Sequence, residues 1–227
     1  SSSTNYLKGS IAKNKIETIT FKLGKESDIP VTKVKSQFDA SEKQDESIIG
    51  YYTDENDDGM YDLTFLSEDT IYANKNASYL FNYLSNLKSI DFDNFRTDDV
   101  TSMSSMFSHC SSVTNLDVSN FDTSNVTNMR YMFDNCSSVT NLDVSNFDTT
   151  KVTNMKWMFR ACSKLTNLDV SNFDTSKVTD MSDMFYNCSS LTNLDVSGFD
   201  TSKVTRMYTM FLNCSSLTNL DVSGFDT

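Results

Sequence analysis

"NLDVSNFDTSNVTNMRYMFDNC", residues 115–136, returns almost unchanged as "NLDVSNFDTTKVTNMKWMFRAC" at 141–162 and "NLDVSNFDTSKVTDMSDMFYNC" at 167–188. The five cysteines, Cys110, Cys136, Cys162, Cys188 and Cys214, stand 26 residues apart. Leu116, Leu142, Leu168, Leu194 and Leu220 keep the same interval, with Ile90 one period earlier. Phe121, Phe147, Phe173, Phe199 and Phe225 do so too, preceded by Phe95. A fixed period of this length marks a stacked array of repeats. Ala77, Leu80, Phe81 and Leu84 occupy the places of Met, Met, Phe and Cys in later copies. The array is therefore expected to open near residue 74 with a degenerate capping copy over about 74–88. It ends at Thr227 in mid-repeat, as an excised fragment would.

Two periodicities share each unit. Leu116 and Val118 alternate with Asp117 and Ser119, the period of a short half-buried strand. Val113, Leu116 and Val118 also follow the opening spacing of a leucine-rich repeat, with Phe121 in the place of its usual Asn. Val126, Met129, Met132, Phe133 and Cys136 fall at i, i+3, i+6, i+7 and i+10, which predicts one face of a short helix. Thr127 is placed to cap it. One such unit has too little apolar surface to fold alone, and stacking supplies the rest. The expected fold is thus α/β: a leucine-rich-repeat-like solenoid over 71–227, with a parallel sheet on one side and short helices on the other. "KIETITFKL" (15–23) and "SIIGYYTDENDDGMYDLTFL" (47–66) predict a small β-rich cap over 1–70. The cysteines lie on the apolar helix face and are expected to be reduced, buried thiols. Helices about 10 Å across would hold equivalent cysteines beyond the roughly 7 Å reach of a disulfide.

Composition excludes several functions. The net charge of −12 leaves no basic stripe for nucleic acid. No apolar run is long enough for a transmembrane helix. The single histidine, His109, occupies a position that reads Asn135, Ala161, Asn187 and Asn213 in other copies. Without a second histidine, the usual nucleophilic triads and His-based metal sites cannot be assembled, so no enzyme is expected. "DENDDG" places Asp54, Asn56 and Asp58 before Gly59, the first half of a calcium loop. Phe65 stands where that loop needs its bidentate Glu, and a hairpin turn rich in Asp, Asn and Gly is the simpler reading of the segment. Calcium is the one cofactor the sequence suggests.

Two surfaces compete as binding sites. On the expected sheet face, Asp91, Asp117, Asp143, Asp169, Asp195 and Asp221 form a column, which reads either as a ligand site or as a structural ladder. On the outer helix face the copies diverge. One position reads Ser105, Tyr131, Trp157, Asp183, Thr209; a second reads Ser104, Arg130, Lys156, Ser182, Tyr208; a third reads Ser108, Asp134, Arg160, Tyr186, Leu212. Tyr, Trp and Arg dominate binding hot spots, so Arg130, Tyr131, Lys156, Trp157, Arg160, Tyr186 and Tyr208 are the candidate ligand residues, with neutral drift as the alternative.

"LDVSNFDTSNVTNMRYMF" and its copies closely resemble the BspA-like bacterial surface proteins, a divergent leucine-rich-repeat group with 26-residue repeats. "YYTDENDDGMYDLTF" followed by "IYANKNASYLFNYLSNLKSIDF" is similar to the segment that often precedes such arrays. The resemblance covers about 47–227 and implies an extracellular protein at the bacterial cell surface, secreted, wall-attached or lipid-anchored, with adhesive roles. The expected function is then an adhesion or protein-interaction module whose partner is a host or bacterial protein or a glycan. A structural stalk presenting another domain and a mucin- or glycan-binding surface are the alternatives.

Overall fold

The computed structural model describes residues 11–42 and 46–226; the parts of the expected N-terminal cap at 1–10 and 43–45 lie outside the described residues. Five strands build one sheet: β1 (Ile16–Leu23), β2 (Val34–Asp39), β3 (Ile49–Thr53), β4 (Tyr61–Ser67) and β6 (Ser89–Asp91), in the order β2-β3-β4-β1-β6. β2, β3 and β4 run antiparallel in succession, whereas β1 pairs in parallel with β4 on one side and with β6 on the other. β3 is buried along its whole length. Its Gly50 makes room for the Phe38 ring, which a Cβ there would approach to 2.3 Å. A second small pair joins β5 (Ile71–Tyr72) to β7 (Phe95–Arg96) in parallel.

β6 belongs to the repeats, since its Ile90 occupies the Leu116 position. The sheet thus continues into the first coil through Thr18, Ile19 and Thr20, opposite Ser89, Ile90 and Asp91. Phe21 locks the joint: its ring lies 5.0 Å from Phe65 within the sheet, and 4.6 Å from Phe95 and 6.0 Å from Phe92 in the coil. One apolar core runs unbroken from Ile16 to the last coils.

The structure overturns the α/β expectation. Among the described residues there is no α-helix; the only helical pieces are single 3-10 turns at Lys13–Lys15 and Glu26–Asp28. Val126, Met129, Met132, Phe133 and Cys136 are all buried, but on consecutive tight turns. The Met132, Asp134 and Cys136 N–H groups donate to the Met129, Tyr131 and Phe133 carbonyls, each three residues back. The intervening N–H groups leave the coil. Met129, Tyr131, Phe133 and Asn135 donate to Asn154, Lys156, Met158 and Arg160 of the next copy. Tyr131 and Asn135 have φ of 61° and 58°, the positive value that the third residue of a type II turn requires and that breaks a helix. Stacking explains the outcome. Parallel bridges such as Asn115↔Asn141 and Asn128↔Asn154 set neighbouring coils at strand spacing, about 4.8 Å. Helices about 10 Å across cannot follow that pitch, whereas a flat run of turns can.

The parallel sheet expected on the other side is also reduced. Beyond β6 the Leu116-type segments make only isolated bridges, at Asn115↔Asn141, Asn167↔Asn193 and Asn193↔Asn219. Side-chain ladders do much of the joining instead. Thr127 caps no helix; its hydroxyl and its N–H both donate to the Thr101 carbonyl of the preceding coil, as Thr153 does to Thr127 and Thr179 to Thr153. Asn146 and Asn172 each donate to three carbonyls of the preceding coil. Phe107, Phe133, Phe159, Phe185 and Phe211 form a near-parallel ring stack, each centroid 5.7 Å from the next.

All five cysteines are free. The helix-spacing argument for keeping them apart fails with the helices, and a different feature accounts for the thiol. Each Sγ donates to a carbonyl 29 residues earlier, from Cys110 to Phe81 (3.1 Å) through Cys162 to Phe133 (3.3 Å) and Cys214 to Phe185 (3.0 Å). Burial pushes the Cys110 and Cys162 thiols up to about 12, and raises Cys136, Cys188 and Cys214 as well.

Candidate functional site

Positive φ recurs at two columns of the stack. One is Tyr79, Ser105, Tyr131, Trp157, Asp183 and Thr209; the other is Tyr83, His109, Asn135, Ala161, Asn187 and Asn213. All of them except buried Ser105 are exposed or half-buried, so these columns and their neighbours define one edge of the stack. Ser105 is the short member between large ones, and there the edge dips into a groove. Tyr79 and Tyr83 form one wall, each more than half exposed. Tyr131, Arg130, Trp157 and Arg160 form the other. Ser104, Ser105 and Ser108 are buried along the floor.

The second wall is cross-braced. Tyr131 meets Trp157 edge-on at 4.6 Å. The Arg130 guanidinium lies 4.4 Å over the Tyr131 ring and donates to its hydroxyl at 2.8 Å. Arg160 sits between two rings, 4.4 Å from Trp157 and 5.7 Å from Tyr186. It also donates to the Asp134 carboxylate at 2.9 Å. Trp157 donates through Nε1 to Asp183 at 2.6 Å, and Lys156 lies 5.4 Å over the indole. Cation–π contacts of this kind contribute about 0.5–1 kcal/mol each at exposed sites.

Asp134 is the buried anion of the groove, 3% exposed. Burial pushes its carboxyl up, and the Arg160 hydrogen bond pulls it back. His109 faces it at 3.8 Å and stacks on Tyr83, with ring centroids 4.5 Å apart and planes within 6°. The Asn135 amide nitrogen lies 2.9 Å from His109 Nδ1. Chemically the groove offers ring faces for stacking, guanidinium forks and a hydroxyl-lined floor.

Of the residues singled out from sequence, Arg130, Tyr131, Trp157 and Arg160 line the groove. Lys156 and Tyr186 contact its lining, at the Trp157 ring and at Arg160 respectively. Tyr208 stands apart and is well exposed, its carbonyl accepting from the Asp183 N–H. Sequence reasoning missed Tyr79, Tyr83, His109 and Asp134. Carrying the 26-residue register one copy further back would have put Tyr79 in the Trp157 column and Tyr83 in the His109 column.

The aspartate column is built differently. Asp117, Asp143, Asp169, Asp195 and Asp221 each accept the N–H of the serine two residues on, at 2.9–3.0 Å, and Asp91 accepts that of Asp93. These are Asx turns. The serine hydroxyl and N–H hold the carboxyls of Asp117, Asp143, Asp169, Asp195 and Asp221 below the ordinary value. A shallow furrow runs past Asp143, Asp169 and Asp195. Asp54, Asn56 and Asp58 lie in the turn between β3 and β4. There the Asp54 carboxylate accepts the Asp58 and Gly59 N–H groups, and the Asn56 amide donates to Asp58. Among the described residues no group of three His, Cys, Asp or Glu could hold a metal ion.

Fold and edge together define a tandem-repeat protein whose 26-residue coils keep one interior and vary one outer edge. The chain belongs to the family described as "Mycoplasma protein of unknown function, DUF285", whose model matches residues 75–168 and again 138–227. No curated protein and no solved structure matches the chain. Among the described residues no helix is long and apolar enough to cross a membrane.

Proposed function

We propose that the chain is a binding module of the BspA-like surface-protein type, holding a partner macromolecule in the groove between Tyr79/Tyr83 and Tyr131/Trp157. One observation carries the reading. Tyr79, Tyr131 and Trp157 have φ of 61–65°, a conformation that disfavours bulky L-residues by roughly 1–2 kcal/mol. Asp183 fills the same backbone position with a side chain that tolerates it better. The large rings therefore do nothing for the backbone that Asp would not do at lower strain, and they form instead a ring-and-arginine surface of the hot-spot kind. The resemblance to adhesive surface proteins adds an extracellular, cell-surface location to the proposal.

The test is a binding screen of the chain against host proteins, mucins and glycans, run beside Trp157→Ser. A ligand retained by the parent and lost by the variant supports the module. Silence across the panel, or binding that Trp157→Ser leaves unchanged, favours the stalk.

A further inference from the structure

Granting that the groove binds a ligand, we infer that the ligand is a carboxylate-bearing oligosaccharide, with Arg130 receiving the carboxylate. The first support is shape. From Tyr79 to Trp157 the groove crosses three coil spacings, about 15 Å, the span of a short oligosaccharide. Its walls present aromatic faces and edges, and its floor is the serine set of Ser104, Ser105 and Ser108. Sugar rings have apolar C–H faces and a rim of hydroxyls, which matches ring walls over a hydroxyl floor.

Charge gives the second support. In a chain of net charge −12, Arg130 and Lys156 make no ion pair among the described residues, while Arg160 is occupied by Asp134. Arg130 is exposed, and its planar fork matches a carboxylate in two-point geometry. A neutral sugar would leave that charge unpaired, with the fork's side-chain bond going only to the Tyr131 hydroxyl.

The backbone argues against a peptide bound as an added strand. A peptide that binds as an added strand needs free backbone donors and acceptors. Here the Ser105, His109 and Tyr131 N–H groups are already spent on the Arg130, Asp134 and Lys156 carbonyls of the next coil. A docking helix would need an apolar floor, and the floor is serine.

Calorimetry with trigalacturonate, its methyl ester, 3′-sialyllactose, lactose and a hepta-glutamate peptide tests the proposal. At least one acidic sugar should bind, at least tenfold more tightly than its neutral counterpart. Which acid binds separates a uronic from a sialic source. Arg130→Gln should remove that tenfold preference while circular dichroism stays unchanged, and added salt should weaken the acid more than the neutral sugar. Equal binding of acid and ester, or an unaffected Arg130→Gln, overturns the assignment. Binding of the glutamate peptide alone, lost in Trp157→Ser, keeps the groove and discards the sugar. A ligand from the broad screen that needs Trp157, with no acidic sugar bound, does the same. No binding in either experiment discards both readings.

Discussion

The coils at 126–136 and 178–188 are alike inside and unlike outside. Val126, Met129, Met132, Phe133 and Cys136 match Val178, Met181, Met184, Phe185 and Cys188, and all are buried. The backbones agree as well, with φ of 61° at Tyr131 and 57° at Asp183. At the variable edge, Arg130, Tyr131 and Asp134 become Ser182, Asp183 and Tyr186. The turn run thus demands a left-handed residue at that position and accepts Tyr, Trp or Asp there. Stability and surface chemistry are written at separate positions, so they should separate experimentally.

The interior should show the largest effects. Phe159 is stacked between Phe133 and Phe185, and Phe159→Ala should cost about 3–5 kcal/mol in urea denaturation. Phe133→Ala should match it, because its environment repeats. Phe211→Ala should cost less, since its ring is only partly buried. A cheap Phe159→Ala would break the claim of a shared interior.

The outer edge should respond in binding. Trp157→Asn places there a residue that tolerates left-handed φ, so stability should move by no more than about 1 kcal/mol. Ligand affinity should fall by about 2 kcal/mol if the indole is a hot spot. Early unfolding of this variant would show that the indole serves the fold.

Gly198 sharpens the comparison from another side. Asn146 and Asn172 each donate to three carbonyls of the coil before, but the matching residue of the next copy is Gly198. A Cβ there would meet nothing within 4 Å. Gly198→Asn should stabilise the array by about 1 kcal/mol, through restored hydrogen bonds and a less flexible unfolded chain. An unchanged or lowered Tm would show that the asparagine ladder contributes nothing.

The smallest effect is expected at the thiols. In Cys162→Ser the new hydroxyl can still donate to the Phe133 carbonyl that the thiol uses, so the loss should be about 1 kcal/mol or less. The pH dependence has a definite sign. Cys110 and Cys162 titrate near 12 in the folded chain against an ordinary 9.0, so above pH 9 the native state binds more protons than the unfolded one. Stability should be fully present below pH 9 and decline as pH rises toward 12. Denaturation at pH 8 and pH 10 checks this, and Cys162→Ser should shrink the difference. Thiol labelling should reach half-buried Cys214 first.

The 26-residue period and the apolar interior were legible in the sequence. The helix was not, for a definite reason. Spacing of i, i+3, i+6, i+7 and i+10 is shared by a helix and by linked tight turns, because both bring every third or fourth residue to one side. The distinguishing signal lay in Asn135, Asn187 and Asn213, since Asn is among the few residues at ease in left-handed φ. Read as free variation, that column also hid His109. The variable columns led to Arg130, Tyr131, Trp157 and Arg160, because divergence among near-identical copies is visible in one chain. Asp134 could not be found this way. It stands in the same variable column as its partner Arg160, 26 residues on, but a short carboxylate carries no hot-spot signal and its burial is not visible in the sequence.

The hydrogen bonds between coils also govern how the array bears a load. Each coil is held to its neighbours by backbone and hydroxyl bonds that lie between successive turns of the stack. Tension applied along the chain from its last coil therefore loads one boundary at a time, in the manner of a zip. The first joint to open frees 26 residues, roughly 90 Å of extended chain, while the coils behind it keep their shape. Such an array would yield in equal steps and lengthen before it breaks.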